Sequence, residues 1–308
     1  MEVLLIDTID FCRPYHYWEN PKPYKDLKAA PAPDGCKAWI TSLKGGKTHI
    51  CWFKIQCHSQ IGYGVATEQD IAHLRSVVDG WLSPVGLFLD DFKLFRIDYD
   101  YNFYMEHEES DVLMRTMQQL PSRNMRMKKW DEIQKPTVYY QCKSRHMQLY
   151  LKDEELREKG RAVSKAEECL CRQEVQCFSG RIKYMRKKYG LVRDWSNWVT
   201  PQMEAEYLTT AERIYTTGDF YTLKGAIDII ESSSLSPCSK KRLKEMLSII
   251  QDETMDAVKK QFSHNTIKKY LDILKDLNVN PLTIKTNPVD NPCGITYIAN
   301  PFFKGKGI

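Results

Sequence analysis

The chain has 308 residues, a formal net charge of +5 at pH 7 and a mean hydropathy of -0.51. At 42% hydrophobic residues it holds enough apolar material for one large domain or two ordinary ones, which excludes a wholly disordered chain. No apolar run is long enough to cross a bilayer, and the patch Val3 to Ile6 lacks a basic flank and is followed by Asp7 and Asp10, so the expectation is a cytoplasmic protein with no signal peptide and no membrane partner. The 10 cysteines contain no C-x-x-C pair; reduced thiols fit them better than a zinc site.

Pro14 to Pro33 carries five prolines and reads as an irregular connection. Cys51–His58 alternates as a strand, with Cys51, Phe53, Ile55 and Cys57 on one face and Trp52, Lys54, Gln56 and His58 on the other. Thr67–Leu82 is an amphipathic helix with Ile71, Leu74, Val77, Val78 and Trp81 on one side. Thr67 and Asp70 stand at capping-box spacing at its start. Phe95–Asp100 opposes Phe95, Ile97 and Tyr99 to Arg96, Asp98 and Asp100.

Thr137–Cys142 buries Val138, Tyr140 and Cys142 and turns Tyr139 to the polar side. Met147–Lys152 places Tyr150 and Lys152 together, two residues apart. Cys171–Cys177 places Glu174 beside Arg172. Five half-apolar runs of this kind predict an α+β fold: an antiparallel sheet with one polar face and helices on the other.

Arg181, Lys183, Arg186, Lys187 and Lys188 begin a basic run, ending at Arg193, that contains no acidic residue. It suits phosphate contact, or a solvated helix face. Around Trp195–Pro201 the composition changes, which divides the chain into a catalytic region, 1–200, and a helical region, 201–308, for DNA binding or dimerisation. Ser239–Ile250, Glu253–Phe262 and Asn265–Leu277 read as helices. The last two, with a short turn at Ser263–His264, resemble a helix-turn-helix with Ile267, Leu271 and Leu274 buried and Thr266, Lys268 and Lys269 exposed; a packing or dimerisation role is the preferred reading. The tail after Pro281 reads as irregular.

The polar face gathers a tyrosine, a lysine and several carboxylates. Cleaving a phosphodiester by covalent transfer needs a nucleophile whose ester is itself a fair leaving group, which tyrosine provides. It also needs charge neutralisation at the phosphate, from carboxylate-held metal and a nearby cation. Gln148–Glu155 (QLYLKDEE) resembles the Tyr-x-Lys-x-x-Glu motif of rolling-circle replication initiators of small Gram-positive plasmids and filamentous-phage-like elements, matched by Tyr150, Lys152 and Glu155. FRIDYD (Phe95–Asp100) resembles that family's Arg-Ile-Asp strand, and CRQEVQ (Cys171–Gln176) its Arg-x-Glu strand.

The resemblance implies a site-specific nicking and strand-transfer enzyme acting on origin DNA, single-stranded or distorted at the nick. Tyr150 would form a 5′-phosphotyrosine, with Lys152 and Glu155 in support. Asp98, Asp100 and Glu174 would hold Mg²⁺ or Mn²⁺. It implies further a bacterial host cell, a host helicase and polymerase, and room for a homodimer. Many such initiators carry a His-hydrophobic-His triplet. Here His49 is followed by Ile50 and Cys51, so His58, on the polar face of its strand, is the candidate histidine ligand. Arg172, Arg181, Lys183, Arg186, Lys187 and Lys188 are the expected DNA contacts. A non-catalytic DNA-binding regulator on the same sheet is the alternative.

Overall fold

The computed structural model describes residues 5–16, 18–62, 66–119, 126–127, 137–191 and 217–303, with Trp198, Thr200, Met203, Glu206, Tyr207 and Thr210. Arg193 and most of the expected boundary at 195–201 lie outside these residues. The class is α+β, with an antiparallel sheet and a helical C-terminal region.

The chain forms two interleaved compact units. One comprises Met1–Tyr101, Cys142–Met147 and Glu174–Tyr207; the other comprises Asn102–Gln141, Gln148–Gln173 and Leu208–Ile308. In chain order the elements through the basic run are β1 (Leu5–His16), α1 (Lys22–Ala29), β2 (Cys36–Ser42), β3 (Thr48–Gln56), α2 (His58–Ile61), α3 (Glu68–Leu82), β4 (Lys93–Tyr104), α4 (His107–Met117), β5 (Arg126–Met127), β6 (Val138–Cys142), β7 (Arg145–Leu151), α5 (Lys152–Glu158), β8 (Leu170–Phe178) and α6 (Ser179–Tyr189). There follow β9 (Phe220–Tyr221), α7 (Leu223–Ser232), α8 (Pro237–Asp252), α9 (Met255–Gln261), α10 (His264–Asp276) and β10 (Tyr297–Ile298).

In the first unit the strands follow the order β2-β3-β1-β4-β8-β7. β1 lies between β3 and β4, antiparallel to both. Its inner row, Ile9 and Phe11, meets Ile55 and Phe53 of β3. Phe53 then packs on Phe11, Phe92 and Trp81 at centroid distances of 4.7, 4.8 and 6.0 Å. Burying each such ring contributes about 1.5–3 kcal/mol, so this row anchors α3 to the sheet. On α3, Leu74, Val78, Trp81 and Leu82 are buried, while Ile71 and Val77 of the expected stripe stay half-exposed. Both arms of the capping box form: Asp70 N–H donates to Thr67 Oγ1 (3.2 Å), and Thr67 N–H donates to Asp70 Oδ2 (2.7 Å).

Two β-bulges shape the other face. Between Ile6 and Thr8, β1 takes two steps while β4 takes one, from Tyr99 to Asp98, so Asp7 is the extra residue. Between Arg96 and Leu94, β4 takes the extra residue, Phe95. Phe95 therefore leaves the inner row expected for it, Leu94 pairs with Phe11 instead, and Phe95 lies edge-on to Trp52, at 4.7 Å.

Three local expectations change. The proline-rich connection contains α1, because Pro21 and Pro23 sit at its first turn, where a missing N–H costs nothing. β3 ends at Gln56, and His58 opens the short helix α2 rather than extending the strand. β7 ends at Leu151, and Lys152 is the first residue of α5.

In the second unit the strands follow β4-β8-β7-β6-β5. Tyr140 is buried, its hydroxyl donating to the Met117 carbonyl (3.3 Å). Leu243, Met246, Leu247 and Ile250 of α8 are fully buried, the stripe expected from their spacing. In α10 the buried residues are Tyr270 and Leu274, whereas Ile267 and Leu271 are half-exposed: the helix is rotated from the expected face. The tail is mostly turns and irregular backbone, as expected, with one short strand. β10 pairs with β9, and Asp219 accepts hydrogen bonds from Asn300 N–H (2.7 Å), Tyr297 Oη (2.9 Å) and Asn278 Nδ2 (2.9 Å). Gln119 joins the same unit's two stretches, donating from Nε2 to the Thr283 carbonyl (2.8 Å) and accepting from Met255 N–H (3.1 Å). Among the described residues no helix is long and apolar enough to cross a membrane.

Candidate active site

In the first unit the carboxylates of Asp7, Asp98 and Glu174 each offer an oxygen, and these atoms lie within 4.8 Å of one another. Asp98 comes from the polar row of β4 and Glu174 from that of β8; the bulge in β1 brings in Asp7. Asp98 and Glu174 are buried. Burial pushes the Asp98 carboxyl well up; Arg96 opposes this, and the like charges of Glu174 and Asp7 add to it. Arg96 makes a two-pronged pair with Asp98, through Nε at 2.7 Å and through Nη2, and also reaches Glu174 (3.8 Å). Gln176 Nε2 donates to Glu174 (2.7 Å). Asp10 lies one step along the face opposite Arg96; burial raises its carboxyl against the pull of Arg96 and Lys54.

Three buried or half-buried carboxylates meet here beside Arg96 and His58. Hard oxygen donors at this spacing suit a divalent cation such as Mg²⁺ or Mn²⁺. His58 reaches the cluster through Asp7, with Nδ1 at 3.2 Å from Oδ1. Asp100 is buried on the same strand but is not in the three-carboxylate group.

The sequence reading missed Asp7. Its signal was the spacing of Ile6 and Ile9: buried residues three apart in a strand break the two-residue alternation and mark a bulge between them.

Tyr150, Lys152 and Glu155 belong to the second unit, at the junction of β7 and α5. Tyr150 is 8% exposed and lines a pocket of about 140 Å³ with Gln148, Glu154, Glu155 and Glu158. Lys152 Nζ lies 5.8 Å from the Tyr150 ring centroid and donates to Glu155 Oε2 at 2.7 Å. Burial alone would push the Glu155 carboxyl up, but hydrogen bonds from Lys152 and Lys159 hold it below its ordinary value. Asp153, Glu154 and Glu155 fill the first turn of α5, where negative charge favours the helix dipole. The motif therefore reads as a strand-to-helix corner: the tyrosine is the last residue but one of the strand, the lysine starts the helix, and the glutamate one turn on fixes the lysine. Of the rival tyrosines, Tyr139 is half-exposed and Tyr140 is interior.

Arg172 is fully buried, and its Nε donates to Asn102 Oδ1 (3.0 Å), so it is an interior residue and not the exposed DNA contact expected of it. The basic run forms α6. Arg181 and Lys188 pair with Glu206, Lys188 at 2.9 Å, while Lys183 and Lys187 are exposed and Arg186 is half-buried. Arg186, Lys187 and Lys188 fall in the last turn, where cations complement the helix dipole.

No curated protein matches the chain at a significant level. Residues 85–187, about a third of the chain, match a family described as the N-terminal part of a phage replication-associated protein. The matched segment encloses Asp98, Tyr150, Lys152, Glu155 and Glu174, and leaves Asp7 outside. The match over residues 85–187 supports the resemblance to a phage replication initiator.

Proposed function

We propose that the protein starts rolling-circle replication by nicking one strand of an origin and holding the new 5′ end on Tyr150. The observation that carries this reading is the family match over 85–187, which contains the whole Tyr150–Lys152–Glu155 corner. Tyr150 Oη attacks the phosphorus, the P–O3′ bond breaks, the phenolic proton leaves to solvent or a base, and the 3′ oxygen departs as a protonated hydroxyl. Lys152 stabilises negative charge on the phenol oxygen as its proton leaves, and Glu155 holds the ammonium in place. Because a phenolate is a fair leaving group, the phosphotyrosine ester can be attacked later by a 3′-hydroxyl, which gives strand transfer rather than hydrolysis.

Asp7, Asp98 and Glu174 are the residues that would hold Mg²⁺ or Mn²⁺, which when bound would supply Lewis-acid neutralisation of a phosphate. Arg96 orients Asp98 and Glu174, and His58 orients Asp7. Lys183 and Lys187 on α6 are suited to grip phosphates without reading bases. DNA is the partner this reading requires, a host helicase and polymerase follow from it, and it is compatible with a homodimer on repeated half-sites.

The test is incubation of the full chain with a supercoiled plasmid carrying the replicative origin of its own element, with and without Mg²⁺. The wild type converts it to the open circle with protein bound at the 5′ end. Tyr150→Phe keeps the ring and its packing and loses nicking by at least about a thousandfold, a loss of roughly 4 kcal/mol of transition-state stabilisation. Nicking by Tyr150→Phe at the wild-type rate, with Tyr139→Phe inactive, moves the nucleophile to the neighbouring strand.

A further inference from the structure

Trp39, Trp52 and Phe95 stand on the same sheet face as the carboxylates, in the first unit. Trp39 and Trp52 are cross-strand partners on β2 and β3, parallel to within 5° at a centroid distance of 6.0 Å. All three rings are half-exposed. Aromatic residues in a sheet usually pack a core, yet the core of this unit lies on the opposite face, with Phe11, Phe53 and Trp81. The bulge that displaces Phe95 from that core is what delivers it to Trp52.

The charges around the rings are basic. Lys37 and Lys54 are directly opposite each other on β2 and β3, a like-charge pairing that costs a sheet stability. Lys93 is exposed at the start of β4. Asp10 partly offsets Lys54. The face is thus divided: carboxylates on β1, β4 and β8, and rings with lysines over β2, β3 and the first residues of β4. Trp52 Nε1 already donates to Thr41 Oγ1 (2.8 Å), so Trp52 presents a ring and no base-reading donor.

We propose that Trp39, Trp52 and Phe95, with Lys37, Lys54 and Lys93, form a stacking platform that holds the bases of single-stranded DNA beside the carboxylate cluster, without sequence preference. It rests on the nicking reading for its substrate, but two of its three rings lie outside the matched family segment. Rings take base faces and lysines take phosphates, the combination that sequence-tolerant single-strand binding uses. Half-exposed rings and facing lysines are what an empty platform of this kind would show.

The test uses the full chain in excess chelator, so that binding is read without cleavage, with an oligothymidylate of about 20 nucleotides as probe. Tryptophan fluorescence should be quenched on binding. Trp52→Ala should weaken binding roughly tenfold or more and remove part of the quenching, and Trp52→Phe should restore most of the affinity. Lys37→Gln, which changes an exposed side chain, should reduce the slope of log affinity against log salt by about 0.7; it keeps the proposal testable should Trp52→Ala fold poorly. Unchanged affinity and quenching in Trp52→Ala and Lys37→Gln overturn the platform, even where the wild type nicks its origin. Binding and quenching that depend on Trp52 and Lys37 sustain it, even where no nicking is seen. A concentration-dependent dimer dispersed by Trp52→Ala, with no oligonucleotide binding, assigns the face to a second copy and overturns it.

Discussion

Asp7 shows how one backbone irregularity sets the chemistry of a side chain. In a regular strand it would be one member of an alternating row; as the extra residue of a bulge it is aimed at Asp98 and Glu174. Its carbonyl also accepts from Cys57 N–H (2.7 Å), which ties the bulge to the end of β3. Asp7→Asn keeps the size and removes the charge. It should lower Mn²⁺ affinity roughly tenfold or more, measured by calorimetric titration, whereas Asp70→Asn, far from the cluster in sequence and in role, should leave it unchanged. Equal affinity in Asp7→Asn and wild type removes Asp7 from the ligand set. Alternation suffices to read Asp98 and Glu174 from the sequence, since both sit in regular stretches. It does not suffice for Asp7 or Phe95, because a bulge inverts the parity that the reading depends on.

Secondary-structure elements were legible where side-chain period and local chemistry agreed. α3 is the clearest: apolar spacing, a threonine at the start and an aspartate three residues on all specify the same helix, and the full capping box forms. Hydrogen bonds from the Thr67 hydroxyl and N–H hold the Asp70 carboxyl below its ordinary 3.8. Thr67→Ala should cost about 1 kcal/mol in chemical denaturation at neutral pH. The sign with pH follows from the depressed folded value: the Asp70 contribution is fully present above the unfolded value, and it fades as pH falls through the folded one. The stability gap between wild type and Asp70→Asn should therefore be constant above about pH 5 and close below 3.8; a gap that widens with acid contradicts the cap. α1 was not legible, since prolines that open a helix look the same in sequence as prolines that forbid one. The β7–α5 corner was half legible: alternation pairs Tyr150 with Lys152 and the motif resemblance adds Glu155, but on a longer strand, because the turn has no glycine or proline to mark it.

For the molecule as a whole, sequence order and packing order differ. The composition change near residue 200 falls close to Tyr207, where the last segment of the first unit ends. The residues that follow share their unit with 102–141 and 148–173 rather than standing alone. Phe103 meets Phe302 edge-on at 5.6 Å, and Gln119 is held by Thr283 and Met255. A chain stopped after residue 207 should expose both, and α4, which lies between them in sequence, should lose hydrogen-exchange protection. Full protection of α4 in that shortened chain would show that the C-terminal helices contribute nothing to its packing. Such long-range closure leaves little trace in local sequence, since Gln119 and Thr283 are ordinary polar residues until they meet.

The central position of β1 has a consequence in time. The strand is made first, yet its two neighbours arrive roughly fifty and ninety residues later, and Glu174 later still. A ribosome must therefore release the whole of β3, β4 and β8 before the three carboxylates can meet. Until β8 follows, β1 can pair with β3 and β4, but Asp7 and Asp98 lack Glu174. No shorter product of interrupted synthesis holds the complete cluster, so a chain that stalls early is barred by its topology from assembling it.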